Sequence, residues 1–546
     1  MTASLAPQAP VAGTPHSPGP SRPVPFTTFE RRFKHPPGLV ILFFAEMWER
    51  FSYYGMRGLL KLYMANYLFV TAREALQGCR QLSTPCQLVA GNPDHVLFWP
   101  LLRGLVPTNP QEVASVLYGT YTALVYLTPF LGGILADRWL GQRKAVVVGG
   151  LLMAAGHFVM AIESSFFIAL SLLILGNGAF KPNVSTQVGG LYPAGDPRRD
   201  GAYTIFYMGI NLGAFICNFI CGTLAVVYGW HYGFAAAGFG MLLGLGVYIA
   251  GQKHLAPDQV ERRSAADAAP LPTGDEFTHT ERLVFRAAIV PAIVLIGLWL
   301  IVTGWPWAAL GFWLSALGLS AFFIKTLRSL PRPERSRVYA LAALCALNVV
   351  FWAVYEQQGN TMQSWADERT LWPTILGFQI PSTWFQSFNP LMIILLAPLL
   401  DGFWRWQQRK GSEPSSVSKM AIGCVLLGLS FIVMILGAQA IGSGKGSPFW
   451  PLFCTALLTV GELYLSPIGL SLVTKVSPAR IVSMMMGMWF LSSFFGNFLS
   501  GVIGALYEGR TLNAQQFFLH LTGLGVATGL AIFAFNRPLK KVIGNH

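Results

Sequence analysis

The feature that most constrains this chain is a succession of fourteen apolar runs, each long enough to cross a lipid bilayer. A spanning helix needs about 20 mostly apolar residues, because the bilayer interior offers no water to satisfy the backbone. Only 11% of the 546 residues are charged and the mean hydropathy is +0.50. The sequence therefore predicts an all-α polytopic membrane protein, with helices over 39–68, 113–136, 145–162, 166–188, 203–227, 231–251, 284–302, 307–325, 338–358, 384–403, 419–440, 450–474, 481–504 and 517–536.

The net charge of +14 follows the predicted topology. With the N-terminus inside, the cytoplasmic segments carry most of the basic residues: Arg22, Arg31, Arg32, Lys34, Arg138, Arg143, Lys144, Arg198, Arg199, Lys253, Arg262, Arg263, Lys325, Arg328, Arg332, Arg335, Arg337, Arg405, Arg409, Lys410, Arg537, Lys540 and Lys541. The opposite side holds Arg73, Arg80, Arg103, Arg369, Lys445 and Arg510. This positive-inside pattern predicts that both termini are cytoplasmic. It explains the excess charge without a nucleic-acid partner.

The order of the apolar runs predicts two six-helix bundles, over 38–251 and 338–537, with cytoplasmic linkers and an inserted helix hairpin (284–325) between them in 252–337. Two such halves are typical of a secondary transporter with its site at the midplane. Residues 1–37, rich in Pro, Ser and Ala, are expected to be a disordered cytoplasmic lead. A long outer loop (70–111) follows the first helix, and 538–546 form a cytoplasmic tail.

The cysteines do not form a disulfide framework. Cys79 and Cys86 both fall in the outer loop, where a bridge could form if that compartment is oxidising. The other five lie in apolar helices and are expected to be small core residues.

The first helix carries an unusual number of charges. A charged side chain at the bilayer centre costs at least about 2.5–3.5 kcal/mol. At about 100° per residue, the charged and tyrosine side chains fall on one side of the helix: Glu46, Glu49, Arg50, Tyr53, Arg57 and Lys61. This stripe is either a buried ion-pair network that holds helices together or the lining of a wet cavity. Function is the default interpretation for ionisable residues inside a membrane.

Other helices carry isolated polar groups far from the loops. Lys181 and Glu462 each lie among glycine and proline, which loosen a membrane helix where it lines a cavity. Glu356 lies in "FWAVYEQQGN", and Asn211 and Asn389 add neutral hydrogen-bonding groups. Together with Tyr53, Tyr54, Tyr126, Trp352 and Trp489, these side chains would line a cavity that carries both charge signs. Such a lining suits a zwitterion with variable side chains.

Rival classes of protein lack their signatures. The sequence has no HExxH motif and no evident nucleophile–base pair, and His157 stands alone on an apolar helix as a core residue. No enzyme activity, metal site or cofactor is therefore predicted. A channel would show a filter sequence or rings of like groups. A drug exporter agrees with the topology but would be expected to carry fewer charges in its cavity.

The motifs resemble those of one transporter family. "EMWERFSYYG" (46–55) resembles the ExxERFxYYG signature of the proton-dependent oligopeptide transporters, within the major facilitator superfamily. "GGILADRWLGQRK" (132–144) resembles the superfamily's loop motif after the second helix. Five further segments occur in the family's order: "FKPN", "FYMGINLGA", "FWAVYEQQG", "FNPL" and "GELYLSPIGLS". The likeness runs from about residue 37 to 537 and implies the major facilitator fold, with the extra hairpin typical of bacterial members.

The resemblance implies roles for particular residues. Arg50 and Lys181 are expected to receive a peptide carboxylate, and Asn211, Asn389 and Glu462 to surround its amino end. Side-chain pockets are expected from Tyr53, Tyr54, Tyr126, Trp352 and Trp489. Glu46 and Glu49 would be the acidic half of the proton-coupling cluster, with Glu356 as a further candidate. Arg57–Glu356 would be an outer gate pair, Lys181–Glu462 an inner pair, and Asp137, Arg138 and Arg143 a cytoplasmic latch.

Two features depart from the family pattern. Animal members carry a histidine near the start of the second helix, where this chain has Gly119, so proton coupling must depend on carboxylates. The outer loop is also long for the family, and it would either cover the outer mouth or have no role there.

The predicted function is proton-coupled import of di- and tripeptides by alternating access. The driving partner is the proton gradient, and the expected setting is a monomer in a bacterial inner membrane. Two alternatives stay open at this point: carriage of a small anion such as nitrate within the same family, and drug–proton antiport within the superfamily.

Overall fold

A computed structural model describes residues 34–70, 109–136, 140–193, 196, 198–257, 321, 325, 328, 331–477 and 482–543. Several predictions fall outside these ranges: nearly all of the N-terminal lead, most of the outer loop with Cys79 and Cys86, the inserted hairpin apart from two isolated positions (321 and 325), and Asp137 and Arg138 of the latch. These features therefore stay predictions.

The first half contains α1 (Pro37–Tyr63), α2 (Pro110–Leu135), α3 (Gln142–Val159), α4 (Phe166–Gly190), α5 (Arg198–Cys217), α6 (Thr223–Tyr228) and α7 (Trp230–Gly251). The second half contains α8 (Arg332–Tyr355), α9 (Thr361–Glu368), α10 (Phe388–Arg409), α11 (Ser416–Ile441), α12 (Phe449–Val476), α13 (Val482–Glu508) and α14 (Ala514–Ile543). All twelve spans predicted within the described ranges are helical, with α5–α6 and α8–α9 each forming one interrupted span.

Nine helical runs in the described part of the chain are long and apolar enough to cross a membrane. Helices α1, α2 and α3 are not among them, and α1 carries the charged stripe that the sequence analysis identified. The chain is a multi-pass helical membrane protein.

Each half has its own apolar core. The first lies within residues 39–255 and also includes Phe494 of α13. The second lies within residues 338–532. The halves meet where α2 packs on α13 and where α5 packs on α10. The five cysteines of the described ranges (Cys217, Cys221, Cys345, Cys424 and Cys454) are buried and free, as expected of core residues.

The sequence did not predict the helix interruptions. A π turn, Asn218–Gly222, separates α5 from α6, and Asn218 Nδ2 donates to Ser387 Oγ of the second half at 3.3 Å. After α8, the 3-10 turn Glu356–Gln358 precedes α9. Such breaks often occur at functional sites.

A two-stranded antiparallel hairpin, Thr374–Ile375 (β1) with Phe378–Gln379 (β2), also went unpredicted. Its turn residues Leu376 and Gly377 both have positive φ, as tight hairpins require. Strands of two residues are too short to leave an alternating pattern in the sequence.

We call the face where α1 ends and α2 begins the outer face. Polar contacts between the halves cluster there. Ser115 of α2 donates to Asn360 Oδ1 at 3.1 Å and to the carbonyl of Gly501 at 3.2 Å. Trp384 Nε1 donates to Thr223 Oγ1 at 3.0 Å. The outer ends of the two halves are therefore held together.

Gly119 occupies the tightest point of the α2–α13 crossing. A Cβ there would lie 2.5 Å from Gly501 Cα and 2.8 Å from the carbonyl oxygen of Asn497. Both neighbours are backbone atoms, which cannot turn aside. The packing therefore leaves no room for a histidine at this position.

We expect Gly119→Ala to lower thermal stability in detergent by several degrees, because overpacking a tight contact costs about 1–3 kcal/mol. Gly246→Ala is the matched control, since a Cβ at Gly246 in α7 meets nothing within 4 Å. The measurement is the midpoint of thermal unfolding. Equal midpoints for the two variants would contradict the packing argument.

Candidate functional site

The charged stripe of α1 forms a buried cluster. Arg50 Nε lies 3.0 Å from Glu46 Oε1 and 2.5 Å from Glu49 Oε2, and the three side chains are at most 3% exposed. Glu46 lies one turn before Arg50 and Glu49 lies beside it, so one guanidinium faces both acids. Asn177 of α4 donates to Glu49 Oε1 at 3.3 Å. The predicted stripe thus joins α1 to α4.

The cluster leaves polar atoms without hydrogen-bond partners among the described residues. These include Arg50 Nη2, Glu46 Oε2 and the hydroxyl of Tyr53. Buried polar atoms are normally paired, so each such atom asks for an explanation. Arg50 Nη2 is therefore a donor that could form a hydrogen bond to an anionic ligand.

Lys181 supplies a second cation from α4. Its Nζ lies 4.8 Å from the centre of the Tyr126 ring, over the ring face. Lys181 is partly exposed and lies within electrostatic range of Arg50 and Glu49. Pro182 lies inside α4 directly after it, as the sequence indicated.

Glu462 of α12 is the predicted acidic residue of the site that lies in the second half. It accepts a hydrogen bond from the hydroxyl of Tyr355 at 2.7 Å and one from Asn389 Nδ2 at 3.2 Å. Asn389 also donates to Thr459 Oγ1 at 2.9 Å. Asn389 therefore positions the carboxylate of Glu462.

The predicted outer gate pair is formed. Arg57 Nη2 contacts Glu356 Oε2, and Arg57 Nε donates to the hydroxyl of Tyr118 at 2.8 Å. Because Glu356 lies at the break after α8, this contact ties α1 to the second half.

The predicted inner pair is not joined in this conformation. Lys181 lies over Tyr126, while Glu462 is occupied by Tyr355 and Asn389. The proposed inner-gate role of Lys181 and Glu462 therefore stays a prediction.

Aromatic side chains lie around these clusters. Tyr53 contacts Tyr54 edge to face, and Arg50 lies over the Tyr53 ring. The guanidinium carbon of Arg57 lies 6.0 Å from the centre of the Tyr54 ring. Trp352 and Trp489 are buried, and the indole nitrogen of Trp352 has no hydrogen-bond partner among the described residues.

Two predicted residues make contacts within their own half. Asn211 Nδ2 donates to the carbonyl of Tyr207 one turn earlier, at 3.0 Å. Arg143, at the start of α3, donates to the carbonyls of Leu255 and Ala256 beyond α7 at 2.7 and 3.0 Å. Arg143 thus joins α3 to the segment beyond α7, a structural task.

Sequence reasoning missed several partners. Asn177 precedes Lys181 by one helical turn and Thr459 precedes Glu462 by three residues, so helical spacing could have identified both. Glu508, which pairs with Lys61 across the halves, left no signal of its own. Among the residues that the structure describes, no group of three or more His, Cys, Asp or Glu could hold a metal.

Comparisons with known proteins place the chain in a family. The sequence profile of the POT family matches residues 143–269 and 313–519. The peptide transporter YePEPT of Yersinia enterocolitica is 36% identical over 527 residues, covering 94% of this chain and 96% of that protein. The chain belongs to the POT family. A di-/tripeptide transporter of Lactococcus lactis is 32% identical over 530 residues, covering 94% of this chain and 97% of its own length.

A solved structure extends the family likeness to the fold. The crystal structure of the peptide transporter POT in complex with sulfate matches with a TM-score of 0.73 at 34% identity, over 93% of this chain and 96% of that one. The predicted family and the polytopic fold of its members are confirmed for this POT-family chain. The match does not test the count of fourteen helices.

Proposed function

We propose that this POT-family chain is a proton-coupled symporter that imports di- and tripeptides by alternating access. Its setting would be a bacterial cytoplasmic membrane, with both termini inside, and one copy would suffice. The names of its relatives support the peptide substrate. The basic residues of the cytoplasmic loops support the orientation.

The observation that carries the proposal is the separation of charge between the two halves. Arg50 and Lys181 lie in the first half, and Arg50 Nη2 has no hydrogen-bond partner within the described part of the chain. Glu462 lies in the second half on a separate hydrogen-bond network. A zwitterionic peptide has a carboxylate and an ammonium group, so it would bridge the halves with its carboxylate towards Arg50 and its ammonium towards Glu462.

The charge count supports proton coupling. Glu46, Glu49 and Glu462 provide three carboxylates, whereas Arg50 and Lys181 provide two cations. The gate pair Arg57–Glu356 is neutral by itself. The site therefore carries one excess negative charge when all its groups are ionised, and a zwitterionic peptide adds none. Because an uncompensated buried charge is costly, one proton would balance the loaded site.

The coupling step follows from the position of Arg50. When Arg50 turns to the peptide carboxylate, Glu46 or Glu49 loses part of its compensating charge in a low-dielectric site and takes up a proton. The neutralised cluster then costs less to carry through reorientation. Peptide and proton bias the same conformational equilibrium.

A small anion such as nitrate is the nearest alternative. Arg50 and Lys181 could hold one, but an anion would give Glu462 no partner and would add to the excess negative charge. A drug–proton antiporter would leave the cation cluster without a ligand group.

The direct test uses liposomes that contain only this protein, with an acidic exterior. We expect labelled dialanine to accumulate inside, unlabelled dialanine to compete, and nitrate to have no effect.

The variant Arg50→Lys tests the carboxylate contact, because it keeps the charge but loses the planar two-pronged donor. We expect about a tenfold to hundredfold loss of uptake, the equivalent of one charged hydrogen bond. Competition by nitrate alone, or wild-type uptake by Arg50→Lys, would refute these assignments.

Glu462→Gln tests the amino end. The amide keeps the shape of the side chain but loses the charge that attracts an ammonium group. We expect affinity for free dipeptides to fall by about tenfold, while N-acetylated dipeptides, which lack that charge, are much less affected. Competition assays measure both. An equal loss for the two ligand classes would make Glu462 a purely structural residue.

Replacing Glu46 or Glu49 with Gln tests the proton step. Glutamine imitates the protonated acid, so the loaded protein can still reorient, but it has no proton to release. We expect each variant to lose gradient-driven accumulation while it keeps peptide exchange between the two faces. The measurements are uphill uptake and counterflow in the same vesicles. Uphill uptake by both variants would contradict a proton-coupling role for Glu46 and Glu49. Glu356 would then be the first candidate for the coupling acid.

A further inference from the structure

A second ion pair crosses between the halves at the outer face. Lys61 Nζ of α1 lies 3.2 Å from Glu508 Oε1 at the end of α13, with side chains 0% and 4% exposed. Lys61 also donates to the carbonyl of Gln111 at 2.9 Å. Ser364 of α9 donates to the same Glu508 oxygen at 2.7 Å. Four separate segments therefore meet at this one pair.

The pair is independent of the Arg57–Glu356 gate. Lys61 lies one helical turn beyond Arg57 on the same side of α1. Arg57 reaches the break after α8, whereas Lys61 reaches the end of α13. Asn109, which caps α2, donates to the backbone carbonyl of Glu508 at 2.7 Å and holds α13 in the same place.

Opening the outer mouth must separate these contacts, because Lys61 and Gln111 belong to the first half and Glu508 and Ser364 to the second. A buried ion pair adds little net stability, since its desolvation offsets its attraction. Removal of one partner is different, because closure then buries an uncompensated charge. Closure of the outer face is therefore unfavourable when only one of the two charges is present. It is favourable when both charges are present or when both have been removed.

We propose that Lys61 and Glu508 form a second outer gate, which sets the balance between outer-closed and outer-open states. The proposal extends the proposed function, since it assumes alternating access, but it does not depend on the substrate. Its test is made on the whole protein in nanodiscs without peptide, so a wrong substrate assignment would leave the result unchanged.

The experiment measures the distance between spin labels on the two halves at the outer face. Ile162 follows α3, is 54% exposed and can carry one label; Lys445, exposed between α11 and α12, can carry the other. Cys79 and Cys86 are replaced by serine so that only the two introduced cysteines react. The cysteines of the described helices are buried.

We expect Glu508→Gln to raise the outer-open population relative to the outer-closed one by about tenfold or more, because closure would bury Lys61 without its acid. Lys61→Met tests the same mismatch from the other side and is expected to act in the same direction. The double variant Lys61→Met/Glu508→Gln removes both charges and is expected to return within about threefold of the parent. This return is the distinguishing result, because two merely damaging substitutions would add.

Asp401→Asn is the matched control. Asp401 pairs with Arg405 at the other end of the molecule, where both side chains are more than half exposed, and an exposed pair contributes little. We expect no change in the distance distribution. Unchanged distances in both single variants, or a double variant at least as open as either single one, would overturn the proposal.

Discussion

The pairing of charges in a low-dielectric interior is the constraint on which the rest of this structure depends. Helix α1 carries Arg50, Arg57 and Lys61 through the region that a membrane would surround, and each has an acidic partner within reach. Arg50 finds its acids on its own helix. Arg57 and Lys61 pair with acids of the second half, so ion pairs from one helix join the two bundles.

The charged residues of α1 therefore form two kinds of contact, one within the first half and one between the two halves. The Arg50 cluster lies within the first half, and Arg50 Nη2 and Glu46 Oε2 have no hydrogen-bond partner in the ranges that the structure describes. The Arg57 and Lys61 pairs are closed contacts between halves, and their formation depends on how the halves are oriented. The proposed substrate contacts and the proposed outer gates would thus lie on successive turns of the same helix.

The sequence predicted whatever depends on periodicity or on a motif. Apolar runs gave the spans, and the charged stripe identified Glu46, Glu49 and Arg50. The sequence could not predict contacts that depend on how separate helices pack against each other. Glu508 ends α13 like many surface acids, and only its approach to Lys61 gives it a partner. The π turn and the short hairpin likewise follow from packing and from local turn geometry, which no repeating pattern records.

The break after α8 has a mechanical consequence. A continuous helix transmits a tilt along its whole length, but here the chain passes through Glu356–Gln358 and Asn360 before α9 begins. Asn360 Nδ2 donates to Ser115 Oγ of the opposite half at 2.8 Å, so a side chain at the break contacts the first half directly. Because a 3-10 turn and Asn360 lie between the two helices, a tilt of α8 is not carried rigidly into α9, which is only eight residues long.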